Sequence, residues 1–379
     1  MSELKVAIVH DYLNQMGGAE RVVAVFHKMF PDAPIYTTIA DYSKLLPELQ
    51  DADIRTTWMQ NIPGILSRFK LFFWLYPFAV RSMKLKGYDL ILSSSSAYAK
   101  GARKDRGSLH ACYCHTPMRF AWNFEGYMEG MQVPKAVKKA AKWLTYPLQA
   151  WDRRNSKAVD RLIANSTTIK DRIRDCYGVH APVIFPPVDI DRFEISDREA
   201  EDYFLVVSRL VSYKKIDLAV KACTRTGQRL LIVGDGPDRQ RLESMAGETV
   251  TFLGRESDEQ VVTRMQHCKA LIFPGIEDFG ITPLEVNACG RPIIAYREGG
   301  ALDTVAAGKT GLFFEEQSVH SLISAIKRFE DHTWDQAVIR RHAEAFSEQV
   351  FIERLTSCIQ GMVDTEQVQA RMTQAERSS

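Results

Sequence analysis

The chain has 379 residues, 45% of them hydrophobic and 25% charged, enough for two domains with separate cores, and this excludes a disordered, fibrous or repetitive protein. The formal net charge is only +2, yet residues 61–157 hold 17 Lys and Arg against 5 Asp and Glu, an asymmetry that points to an anionic partner for the first half. The basic residues are interleaved with apolar and aromatic clusters rather than with a nucleic-acid motif, so an anionic membrane surface is expected and nucleic acid is not.

In chain order, Lys5-Val6-Ala7-Ile8-Val9-His10-Asp11 meets a charge after a few apolar residues. It reads as a first buried strand rather than a signal peptide, and a cytoplasmic chain is expected. Gln15-Met16-Gly17-Gly18-Ala19-Glu20 follows, ahead of an apolar helix. Doubly wound folds bring a glycine backbone close to a ligand phosphate at this place. An ordinary glycine turn fits equally well, and the full dinucleotide fingerprint is missing, so a nicotinamide enzyme is not expected. Arg68 to Phe78 forms a basic, aromatic segment too short to span a bilayer, which needs about 20 apolar residues. Asp89 to Ser93 reads as a middle strand, and Cys112-Tyr113-Cys114 is too tight for a metal knuckle and fits along another. The seven cysteines have no regular spacing, as expected of reduced thiols. His115-Thr116-Pro117 then closes the strand with a histidine at a proline turn.

From Lys135 to Trp151, Val137, Ala141, Leu144, Leu148 and Trp151 share one helical face, and Lys135, Lys138, Lys139 and Lys142 the other. Such a helix can lie in a lipid interface or pack on its own domain, and Pro147 is expected to kink it or to begin a second helix. Arg161 to Ser166 reads as a late strand, and the prolines between Pro182 and Arg192 make a stiff boundary. A second series follows at Tyr203 to Ser208, Arg229 to Gly234, Val250 to Gly254, Leu271 to Phe273 and Pro292 to Ala295. These runs are apolar on both faces, as in a parallel sheet. Beyond Gly311-Leu312-Phe313-Phe314 the chain turns helical and polar, with a frayed end expected from about Gln367.

The most informative stretch is Glu277-Asp278-Phe279-Gly280-Ile281-Thr282-Pro283-Leu284-Glu285. Pro283 fits a first helical position, so the amides of Phe279, Gly280, Ile281 and Thr282 are expected to converge on a diphosphate at a helix N-terminus. Glu285 would then accept from two ribose hydroxyls, and Glu277 would lie nearer a transferred sugar. A second reading of Glu285 is the closing member of a capping box begun by Thr282. Two cations follow the strand at 203–208, on the loop Ser208-Arg209-Leu210-Val211-Ser212-Tyr213-Lys214-Lys215. Together they can neutralise a leaving diphosphate.

With Asn287-Ala288-Cys289-Gly290-Arg291-Pro292, this block resembles the retaining glycosyltransferases of family 4. The family usually reads E-G-F-G-x-x-x-x-E, and here Asp278 replaces the first glycine. Gly-Gly-Ala-Glu at 17–20, Ser93 to Ser96 with Ala97-Tyr98-Ala99-Lys100-Gly101, and His-Thr-Pro-Met-Arg at 115–119 resemble mannosyltransferases of bacterial polysaccharide assembly. The resemblance implies a GT-B fold, two doubly wound α/β domains facing across a cleft with the C-terminal helix crossing back to the first. The domains would be 1–185 for acceptor and membrane, 186–345 for the nucleotide sugar, 346–366 as the return helix, and 367–379 as a polar tail. It implies Arg209 and Lys214 as the phosphate pair, with Lys215 as an alternative register. Arg255 would lie at the base pocket, Gly17 and Gly18 would face the donor, and His115 and Glu277 would stand at the reaction centre, with His10 as support.

The implied donor is GDP-mannose, with UDP-sugars next, and the implied acceptor is a polyprenyl-diphosphate-linked saccharide. Transfer would proceed on one face of the sugar, without cofactor or metal. Asp51-Ala52-Asp53 and Asp189-Ile190-Asp191 are read as chance matches to a metal motif. The protein would sit peripherally at the inner face of the cell membrane through segments 66–86 and 135–157. A GT-B epimerase and a non-catalytic binding module are the rival readings.

Overall fold

The structure, a computed structural model, describes residues 4–124 and 135–378. The chain divides into two compact units, Met1–Pro187 with Phe351–Ser379, and Val188–Val350.

The first unit is built on a six-stranded sheet in the order β3-β2-β1-β4-β5-β6. Its strands are β1 Val6–His10, β2 Ile35–Thr37, β3 Ile54–Thr56, β4 Leu90–Ser95, β5 Leu109–Cys114 and β6 Arg161–Ala164. Every neighbouring pair is parallel. A parallel sheet must be covered on both faces, and the period of two along β1 does this. Val6 and Ile8 enter one core with Phe26 and Leu92, while Ala7 and Val9 enter the other with Tyr76 and Ile91. β2 and β3 are three residues each and carry too little periodic signal to stand out in the sequence.

The helix Glu348–Ser378 returns to this unit, with Phe351, Leu355, Ile359 and Met362 buried in the first of those cores. The ring of Phe351 lies 5.5 Å from that of Tyr113. The helix runs to Ser378, past the point where the sequence points to a frayed end. Ala, Gln, Arg, Met and Glu dominate that stretch and favour helix. The helix Lys135–Ala158 is likewise continuous through Pro147 rather than split at it.

The second unit repeats the plan, in the order β12-β11-β10-β7-β8-β9. Here the strands are β7 Phe204–Val207, β8 Leu230–Val233, β9 Val250–Gly254, β10 Ala270–Phe273, β11 Ile293–Tyr296 and β12 Gly311–Phe314, all parallel. Helices Ile216–Thr226 and Val319–Glu330 supply Ala219, Val220, Leu322 and Ile326 to its core. In each sheet the strand order reverses once, between β1 and β4 and between β7 and β10. Ligands of open α/β sheets bind beyond the strand ends at such a reversal. Among the described residues, no helix is long and apolar enough to cross a membrane.

Candidate functional site

In the second unit, the loop after β7 and the loop after β10 meet at the reversal. Lys214 and Glu277 form an ion pair there, their side chains 15% and 26% exposed. The sequence reading gave the two residues separate partners, phosphate and sugar; the structure pairs them with each other. Glu277 is set by its backbone, since its carbonyl accepts from the Gly300 amide at 2.8 Å. A Cβ on Gly300 would stand 2.0 Å from the Phe279 carbonyl oxygen, so only glycine allows this approach. Gly299-Gly300, after β11, is therefore a part of the site that the sequence reading did not single out. A glycine pair past a strand end was the available signal.

The helix Ile281–Ala288 begins two residues earlier than Pro283 led one to expect. Gly280 is its N-cap, at φ 85, a left-handed value that favours glycine. Pro283 is thus the third helical residue, where an N–H would also lack a partner within the helix. Thr282 lies inside the first turn, which rules out the capping box with Glu285. Ile281, Thr282 and Glu285 are half-buried on that turn, and Phe279 and Gly280 are buried. The helix N-terminus, with Lys214 nearby in the chain fold, suits an anion. Arg209 and Arg255 are both exposed, just past β7 and β9.

In the first unit, Gly17 is the N-cap of the helix Gly18–Met29, and Gly18 is its exposed first residue. Glu20 closes this N-terminus, accepting from the Gly17 amide at 3.0 Å. Its other oxygen lies 3.7 Å from Nε2 of His10, both side chains being 2% exposed. Burial opposes charge on His10, but Glu20 outweighs it and the imidazole is held above its ordinary pKa. Glu20 is correspondingly held below the usual carboxylate value by His10, against the opposing effect of its burial.

His115 follows β5 and hydrogen-bonds through Nε2 to Ser94 Oγ at 2.8 Å. Its ring stands edge-on to Tyr113, 5.2 Å away. Asp11, buried beside His10, accepts from the amides of Ser96, Ala97, Tyr98 and Ala99 at 2.6 to 2.9 Å. This carboxylate shapes the turn after β4, as an anion would at a helix start. Asp11 and Ser94 lie in stretches the sequence reading quotes, but nothing in the sequence pairs them with their partners, which are more than eighty and twenty residues away respectively.

The surface of the first unit sorts the basic aromatic segments. Leu71, Trp74 and Phe78 are 68%, 55% and 64% exposed. Arg68, Lys70 and Arg81 are exposed in the same segment. On the helix Lys135–Ala158, Leu148 and Trp151 follow the second of the two readings left open by the sequence, packing on their own domain: Leu148 is buried and Trp151 packs against the same core. Its outward residues include Trp143, Tyr146, Lys139 and Lys142. The side chains of Val137, Ala141 and Leu144 lie outside the described residues.

Comparison with known proteins agrees with this architecture. Residues 188–347 match the glycosyl transferases group 1 family, and residues 16–192 match glycosyltransferase family 4. The chain is 25% identical to the alpha-1,3/1,6-mannosyltransferase ALG2 of Mus musculus, over 92% of this chain and 94% of that one. It is 30% identical to a GDP-mannose-dependent alpha-(1-6)-phosphatidylinositol monomannoside mannosyltransferase of Mycolicibacterium smegmatis, over 46% of this chain and 54% of that one. Two further relatives, an uncharacterized glycosyltransferase of Methanocaldococcus jannaschii and human ALG2, are spanned over 58% and 65% of their length. Among solved structures, Anabaena HepE in complex with UDP superposes with a TM-score of 0.70 at 17% identity, over 94% of this chain and 100% of that one. With two family matches that follow one another along the chain and two six-stranded parallel sheets, the chain belongs to glycosyltransferase family 4 and has the GT-B fold.

Proposed function

We propose that this protein is a retaining mannosyltransferase that moves mannose from GDP-mannose to a polyprenyl-diphosphate-linked saccharide at a membrane face. The observation that carries the reading is the Lys214–Glu277 pair at the strand-order reversal, followed directly by the helix N-terminus at Ile281. An anionic diphosphate suits that N-terminus and the cations Arg209 and Lys214. Glu277, held by Lys214 and Gly300, is placed to orient sugar hydroxyls, and Glu285 to accept from the ribose. Arg255 is assigned to the base pocket, Gly17 and Gly18 to the donor side, and His115 to the transferred sugar. The leaving phosphate oxygen takes the acceptor's proton on the same face of the sugar, and positioning and charge supply the rate. The scheme calls for neither cofactor nor metal, because the cations and the helix N-terminus carry the phosphate charge. Mannose and GDP are favoured by the mannosyltransferase relatives.

For the membrane, the supporting feature is the exposed Leu71, Trp74 and Phe78 set among Arg68, Lys70 and Arg81. Aromatic and apolar groups with basic neighbours suit an interface rich in anionic lipid.

Calorimetric titration with GDP, UDP and ADP, then with the matching sugar nucleotides, tests the donor. Selective GDP binding is expected. Selective UDP binding moves the donor to a UDP-sugar, and binding of none overturns the transferase reading. In a vesicle assay, Trp74→Ser is expected to weaken binding to anionic vesicles. Binding equal to wild type removes the membrane part alone.

A further inference from the structure

His10 ends β1, Ser94 stands one residue before the end of the neighbouring β4, and His115 directly follows β5; the register of β1 against β4 sets His10 opposite Ser94. The direction of the hydrogen bonds among them follows from which atoms can only accept. Nδ1 of His10 lies 3.1 Å from the Ser94 carbonyl oxygen, an acceptor, so Nδ1 carries a proton. Nε2 of His10 faces the Glu20 carboxylate, also an acceptor, at the ion-pair separation of 3.7 Å. These two acceptors favour the imidazolium form of His10, and Glu20 raises its pKa against the opposing effect of burial. The same Nδ1–H reaches Ser94 Oγ at 3.1 Å. Ser94 is fully buried, so its own hydroxyl proton needs an acceptor, and Nε2 of His115 at 2.8 Å supplies one. An accepting Nε2 leaves the His115 proton on Nδ1. A neutral His115 also avoids a second positive charge one hydroxyl away from His10.

We propose that Glu20, His10 and Ser94 are positioning residues that hold His115 as its neutral Nδ1–H tautomer, through a one-way run of donations from His10 to Ser94 to His115. Glu20 anchors the far end and is itself tied to the Gly17 amide, so the glycine loop and the His115 ring share one scaffold. The assignment rests on the proposed function only in what His115 then does. In the proposed reaction that makes His115 a donor at Nδ1, unable to take a proton at that nitrogen.

The test is two-bond proton–nitrogen correlation NMR on the full chain labelled with 15N-histidine, without donor, with His115→Gln assigning the resonance. Wild type is expected to show His115 as the neutral Nδ1–H form and His10 as an imidazolium. Ser94→Ala is expected to shift His115 toward the Nε2–H form. Glu20→Gln, which leaves Ser94 in place, is expected to turn His10 neutral and to loosen the His115 preference. Ser94→Thr, which keeps the hydroxyl, is expected to retain the wild-type signature. GDP release from GDP-mannose should fall by about tenfold in Ser94→Ala, in kcat rather than KM. An Nε2–H form in wild type, or a His115 signature unmoved by both Ser94→Ala and Glu20→Gln, overturns the proposal. Failure of GDP-mannose turnover in wild type, with the NMR signatures as expected, counts against the donor and leaves the positioning network standing.

Discussion

At the strand-order reversal of the first sheet, the acid–base pair His10–Glu20 is sealed from solvent; at that of the second, Lys214–Glu277 stands partly in it. The same topology has been given opposite environments. The buried pair is fixed by hydrogen bonds to Ser94 of β4 and to the Gly17 amide and suits orienting a side chain once, before any ligand arrives. The partly exposed pair can exchange its partner for a ligand at little cost, because solvent screens it. Under the proposed function, burial would separate groups that build the site from groups that meet its ligand, and this contrast can be broken experimentally.

The largest effect is expected at a second buried pair of the first unit. Lys100 and Asp152 are fully buried and 2.8 Å apart, with Trp122 and Tyr177 also donating to Asp152. The carboxylate keeps the Lys100 ammonium charged despite burial. Lys100→Met leaves that carboxylate without its counter-ion and should cost about 3–5 kcal/mol of stability, read from urea unfolding. Next comes Glu277→Ala, expected to fold normally and to lose transfer by about 100-fold, ~2.7 kcal/mol of transition-state stabilisation. Wild-type turnover by that variant would sink the assignment of the site.

A pH effect of intermediate size separates two histidines of the first unit. Burial pushes His110, which bonds to Ser93 Oγ, down to about 4. The unfolded chain then takes up the proton first, so stability falls as pH drops from about 6.5 toward 4. His10, held above its ordinary value, acts in the opposite sense: its contribution is present below about 6.5 and is lost as pH rises through its folded value. Replacing His110 by Gln should remove about 2 kcal/mol of the acid sensitivity between pH 7 and 5, seen as parallel urea midpoints. The smallest effect is expected from Lys214→Met, under about 1 kcal/mol in stability, since its pair is partly solvated. Equal losses from Lys214→Met and Lys100→Met would erase the contrast between the two environments.

The two sheets were legible in the sequence because their strands are apolar on both faces, as at Phe204–Val207 and Leu230–Val233. β2 and β3 were not, since three residues cannot display a period. The loop from Glu277 to Glu285 was legible as a glycine turn between strand and helix, but Pro283 misplaced the helix start because proline is tolerated throughout a first turn. The network of Glu20, His10, Ser94 and His115 was invisible. Sequence separation hides contacts that strand register creates, and the run of four serines, though it carries part of the family resemblance, does not say which serine meets the histidines.

The return helix carries one consequence for how the chain is made. Phe351, Leu355, Ile359 and Met362 fill the core lined by Phe26, Tyr113 and Ile184, so a nascent chain leaving the ribosome cannot complete its first unit from its first half. The second unit, continuous from Val188 to Val350, has all its strands in hand earlier. Vectorial synthesis thus favours closure of the second unit while the first waits with an open apolar groove. A stop codon near residue 350 would leave that groove as a target for chaperones and proteases, although every strand of both sheets had already been translated.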